Sequence, residues 1–146
     1  MTTRVSAKLY SPALLGLAIR LAEFPLTDDF PLRAEARSRS CGSSIAIGLG
    51  LGDEGLVSGV GMHVSACAIG QASAALLAQS IGGRSPESIA LASEGLAAWL
   101  AGEGNLPLWP DIAALVPARD HPGRHGALLL PWKAACEALS SRGPAR

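Results

Sequence analysis

Residues 44–80 read SIAIGLGLGDEGLVSGVGMHVSACAIGQASAALLAQS, and the spacing of their apolar residues changes once. Ile45, Ile47, Leu49 and Leu51 alternate with small residues, and Asp53-Glu54-Gly55 supplies a turn. Alternation then resumes, with Val57, Gly59, Gly61 and His63 on one side and Leu56, Ser58, Val60, Met62 and Val64 on the other. That pattern predicts a β-hairpin. Beyond Cys67, Ile69, Ala72, Leu76, Leu77 and Ile81 fall at helical spacing, and Gly82-Gly83 closes the segment. The change from strand to helix falls on a cysteine.

Working outward, Ala34, Ala36 and Ser38 alternate with Glu35, Arg37 and Arg39, which predicts a third strand and a three-stranded antiparallel meander. The hairpin glycines are expected to let helices press closely on the sheet. Ser11-Pro12 reads as an N-cap and first helical residue, opening a helix that runs to Pro25. Ser85, as N-cap with Pro86 next, opens another that ends near Gly102. A short helix lies in LPLWPDIAALVP, the stretch ARDHPGRHGALLL reads as a loop with two histidines, and a final helix begins near Pro131. One helix, three strands and then helices alone make an α+β arrangement, with helices on one face of the sheet. With no internal repeat or low-complexity linker, residues 1–146 are expected to form a single domain.

Lys plus Arg and Asp plus Glu number 12 each, so no net field recruits nucleic acid or an anionic membrane. Arg33, Arg37 and Arg39 are expected on the solvated side of a strand. No apolar run reaches the roughly 20 residues of a membrane span. The first 24 residues carry no convincing cleavage site, so a cytoplasmic protein is expected. Three cysteines form no disulfide framework, which leaves core filling, metal ligation or thiol reactivity.

Cys67 lies at a helix N-terminus, where unpaired amides and the helix dipole favour a thiolate. Cys41, followed by Gly42, is expected to end the first strand. A meander brings the ends of its first and third strands to the same end of the sheet, which would make the two thiols neighbours. Two thiolates are half of a soft-metal site. The alternative is a pair of buried cysteines acting as small hydrophobes.

Cys41-Gly42, the GDEGLVSGVGMHV hairpin and CAIGQASAALLAQSIGGRS together resemble the scaffold proteins of iron–sulfur cluster assembly, the IscU/NifU/SufU family. The family pattern is Cys-Gly, strand-turn-strand, then Cys and a small-residue helix ending in Gly-(Arg/Lys)-Ser, here Gly83, Arg84 and Ser85. The stretches LYSPALL and HPGRHGALLLPWKAA are similar to the SufU-like branch, so the resemblance spans nearly the whole chain. It implies a small antiparallel sheet covered by helices. It also implies a non-enzymatic scaffold that carries iron, an iron–sulfur cluster or zinc, and that works with a cysteine desulfurase and iron–sulfur acceptor proteins.

Two positions depart from the family pattern. Ser43 stands where the family has Asp after Cys-Gly, and aligning Arg124 with the family's basic residue puts Ala127 in place of the third cysteine. Cys136 lies nine residues further on, about 13 Å along a helix, and reads as core filler. His125, in the same stretch as Ala127, is the first choice for a replacement ligand beside Cys41 and Cys67, since imidazole can stand in for thiolate on iron or zinc. Asp120 and His121 are less securely placed, and His63, a distant candidate along its strand, reads as structural. The Gly-x-Gly spacing of GLGLGDEG lacks a strand-turn-helix context, and Ser65 and Ser73 have no base at a recognisable spacing. Two other readings stay open. One is a degenerate paralogue without metal that partners or regulates the assembly machinery; the other is a thiol or sulfur carrier using Cys41 and Cys67.

Overall fold

The computed structural model describes residues 9–39 and 42–141. Helix α1 (Pro12–Arg20) starts at Ser11, whose Oγ accepts from the Leu14 N–H at 3.2 Å, and tightens into a 3-10 turn over Leu21–Glu23. Strands β1 (Leu32–Arg37), β2 (Ser44–Leu51) and β3 (Val57–Ser65) form an antiparallel sheet in the order β1-β2-β3, the predicted meander. Helices α2 (Ala68–Ser80) and α3 (Pro86–Leu100) follow. Two 3-10 segments, Ile112–Asp120 and Pro122–Arg124, then lead into α4 (His125–Ser140). The α+β arrangement is as expected, with Ile45, Ile47, Leu49 and Met62 buried in the core shared with the helices.

Helix α2 is the centre of that core. Ile69, Gly70 and every residue from Ala72 to Ala78 are buried, so it is enclosed on all sides rather than amphipathic. Its neighbours are α1, α4 and β3.

Three local expectations change. The first concerns the hairpin glycines, which lie on the sheet face opposite the helices, because by period two they alternate with the core residues. What presses on them is Phe30. A Cβ at Gly48 would lie 2.6 Å from Phe30 Cβ, and one at Gly61 would run into the Pro25 carbonyl and lie 2.6 Å from the Phe30 ring. The segment bearing Phe30 is tied to the edge of β3, where Met62 N–H donates to the Phe24 carbonyl at 2.8 Å.

The second is Val57. The register slips between Gly50 and Leu51, so that Leu51 pairs with Val57, and the β-bulge brings Val57 into the core with Met62. The third is the last helix. It starts at His125, six residues before Pro131, so the histidine stretch read as a loop is largely helical. Pro131 sits inside α4, buried with Ala127, Leu128, Leu130 and Trp132. Its missing N–H leaves the Ala127 carbonyl without its helical donor. Burial of this apolar stretch outweighs that loss.

The two glycine environments give opposite expectations for adding a methyl group. Gly61→Ala should lower stability by about 2–3 kcal/mol through overpacking against Phe30 and Pro25. Gly16→Ala, inside α1 with nothing within 4 Å of the added carbon, should raise it by about 0.5–1 kcal/mol. Urea denaturation of both variants checks the pair; equal effects would contradict the packing described.

Candidate metal centre at the sheet end

Arg37, Ser44 and Ser65 form one row across the sheet, so β1 and β3 both end there, on opposite sides of β2. Two strand spacings put those ends about 10 Å apart. Cys67 lies two residues past the end of β3 and is the N-cap of α2, with φ −66° and ψ 172°. Its carbonyl accepts from Gln71 N–H at 3.0 Å, while the Gln71 side-chain amide donates to the Ala66 carbonyl at 2.9 Å. The half-buried Cys67 side chain makes no capping hydrogen bond, so it does not satisfy the first-turn N–H groups.

On the other side of β2, the strand stops at Arg37, four residues before the position expected to end it. Cys41 itself lies outside the described residues. Around it, Ser38 N–H donates to the Ser43 carbonyl at 2.8 Å and Gly42 N–H to the Ser38 carbonyl at 3.2 Å. Gly42 has φ +72° and open space where a Cβ would be, so its glycine serves backbone conformation and not close approach. Ser43, at the family's Asp position, is buried.

The first turn of α4 packs against the first turn of α2. Ala127, 1% exposed, has its Cβ 3.3 Å from where a Gly70 Cβ would stand, and its carbonyl oxygen is 3.4 Å from the same point. A Cβ at Gly70 would meet Ala66 Cβ first, at 2.7 Å, and press tightly on Ala127, so the glycine suits both the turn before it and the approach of α4. The position read as the missing third cysteine lies one turn along α2 from Cys67. His125 is not in a loop but is the first residue of α4. Its Nε2 is 2.8 Å from the Arg119 carbonyl. A carbonyl only accepts, so Nε2 carries the hydrogen in this contact and Nδ1 of the neutral ring keeps its lone pair.

The remaining candidates are scattered. Asp120 is exposed at the end of a 3-10 segment, and His121 is engaged through its backbone. His63 is exposed in the row Glu35–Ala46–His63 on the sheet face away from the helices. Among the described residues, no three His, Cys, Asp or Glu side chains gather as a metal-holding group. Cys136 is half-buried on α4, packed against the core. Burial pushes its thiol above the ordinary range, a Ser93 hydrogen bond opposes this, and the Glu94 charge adds to the rise.

Sequence reading missed one feature beside this site. Ser73 Oγ–H donates to the Leu128 carbonyl at 2.6 Å and accepts from Trp132 Nε1–H at 3.0 Å, joining α2 to α4 inside the core. A lone serine in a run of alanines was its only trace.

No protein-family model matches the sequence, and no characterised protein matches it significantly. Solved structures do. A nitrogen-fixing NifU-like protein (N-terminal) from Brucella abortus superposes with a TM-score of 0.86 at 24% identity, covering 95% of this chain and 99% of that one. A protein described as an iron–sulfur cluster assembly scaffold for the SUF system, from thermophilic Fervidobacterium islandicum AW-1, gives 0.81 at 23% identity, covering 92% and 99%. The chain has the fold of these proteins.

The thiol environment of α4 can be tested directly. Alkylation of Cys136, followed by peptide mass spectrometry, should remain slow at pH values where an ordinary thiol is half ionised. Glu94→Gln should speed it slightly by removing a charge that adds to the effect of burial. An unchanged rate would contradict the Glu94 contribution, and a rate equal to that of an ordinary thiol in the wild-type chain would contradict burial as the main cause.

Proposed function

We propose that this chain is a scaffold-like protein of iron–sulfur cluster assembly, with Cys41, Cys67 and His125 as donors to iron, a cluster or zinc as its cargo. The observation that carries the reading is Cys67 as N-cap of a helix buried along its body, beside the first turn of α4, in a chain with this fold. The donor chemistry fits. Thiolate and imidazole are ligands that zinc and iron–sulfur clusters accept. A histidine that gives one ring N–H to a backbone carbonyl and keeps the other nitrogen free is oriented as metal-binding histidines usually are.

On this reading the chain itself turns over no substrate. A cysteine desulfurase supplies sulfur, iron joins it at the sheet end, and the assembled cargo passes to an acceptor protein. Because Ala127 offers no donor, the cargo is held by one fewer thiolate than in the family pattern. A cytoplasmic location suits such thiols. Among the described residues, no helix is long and apolar enough to cross a membrane.

The packing of Ala127 favours a second reading. Its methyl fills the third-cysteine position with hydrocarbon, as in a paralogue that has kept the fold for partner binding and lost the metal.

Iron, zinc and acid-labile sulfide per chain after anaerobic reconstitution separate the two readings. The scaffold reading predicts stoichiometric metal, its abolition by Cys67→Ala, and a loss in affinity of at least about tenfold with His125→Ala. Ala127→Cys should tighten binding. Absence of metal from the wild-type chain, with uptake restored by Ala127→Cys, would establish the second reading.

A further inference from the structure

The buried chain Trp132 Nε1–H to Ser73 Oγ, and Ser73 Oγ–H to the Leu128 carbonyl, is more directional than packing requires. We infer that Ser73 is a positioning residue: its hydroxyl fixes the rotation of α4 against α2, and so sets where His125 and residue 127 stand relative to Cys67. The consequence for metal rests on the function proposed above; the registry itself does not.

Ser73 and Trp132 are fully buried, and the hydroxyl uses its one hydrogen and one of its lone pairs in this chain. Water cannot replace either partner without opening the core. The acceptor is in the turn disturbed by Pro131, so α4 is held from outside where its own ladder is weakest. Leu128 follows His125 by three residues and Ala127 by one. Ser73 follows Cys67 by six, about 9 Å along the helix. The Gly70–Ala127 contact sets how near the helices come, but two smooth surfaces can slide. The relay resists that, because a residue's rotation of about 100° would remove Leu128 from Ser73.

A metal-free test uses a Cys41→Ser, Cys136→Ser, Ala127→Cys background, which leaves Cys67 and one thiol at position 127. The cross-linker is a short bis-methanethiosulfonate, which loads first on the half-buried Cys67 and is then attacked by the thiol at position 127, each step releasing sulfinate. Cross-linking is compared with and without Ser73→Ala, with Leu77→Ala as a control that removes core packing without touching the relay. All are assayed well below their melting temperatures. Ser73→Ala is expected to lower the cross-linking rate about fivefold or more, with Leu77→Ala close to the background. Equal effects, or none, would overturn the inference. In the otherwise wild-type chain, Ser73→Ala should also alter the cobalt(II) charge-transfer spectrum and weaken cobalt binding about tenfold, while Leu77→Ala should not. If the wild-type chain binds no cobalt but the cross-linking difference appears, the proposed function fails and the positioning role stands.

Discussion

The enclosure of α2 on every side constrains everything around it. Gly70, Ala72, Ser73, Ala74, Ala75 and Ala78 give it a surface so shallow that α1, α4 and β3 pack almost against its backbone. Close approach leaves little room for water, so the polar atoms brought into the body of α2 find protein partners. Among the described residues the exception is Gln79 near its C-terminal end, whose Oε1 accepts from Arg20 at 3.0 Å while its buried Nε2 has no partner. Ser73 serves the Leu128 carbonyl and the Trp132 indole. Trp109 Nε1–H donates to the Leu76 carbonyl at 3.0 Å, and its ring meets Trp132 edge-on with centroids 4.8 Å apart. Arg84 covers the outside of Trp109 at 3.8 Å and donates to the Ser80 carbonyl at 2.7 Å, at the C-terminal end of α2.

The same constraint makes the candidate site. With the body of α2 fixed, its N-terminus cannot wander, and Cys67 is held at the end of the sheet without a strong bond of its own. Helix α4 approaches through Gly70, which brings residue 127 to within one turn of Cys67. His125 is held from the other direction by the Arg119 carbonyl, and Arg119 is itself anchored by donating to the Trp99 carbonyl at 2.9 Å and lying over the Trp99 ring.

Much of this frame is legible in the sequence because its signals are local. Ser11 and Ser85 cap their helices through hydrogen bonds three residues ahead, and Gly83 and Gly102 adopt the positive φ that ends a helix. Period two and period 3.6 locate the hairpin and α2, and Cys67 lies at the helix start as expected, where it is the N-cap. Other features depend on residues far apart in the chain. Phe30 on Gly48 and Gly61 cannot be read from the glycines, which say only that something comes close. Pro131 reads as a helix start because its local preference is strong; only burial of α4 against α2 and the sheet overrides it. The bulge at Val57 and the Arg119 tether on His125 likewise exist only once the chain has folded. Placing the third-cysteine position at Ala127 required the family pattern, and the Gly70 contact brings that position beside the first turn of α2.

Whether Cys41, Cys67 and His125 share one metal, as proposed, is decided by X-ray absorption on the zinc-loaded chain. A shared site gives two sulfur neighbours at about 2.3 Å and at least one nitrogen at about 2.0–2.1 Å, with one sulfur lost in Cys67→Ala and the imidazole scattering lost in His125→Ala. A shell of oxygen and nitrogen alone, unchanged by either substitution, would contradict it.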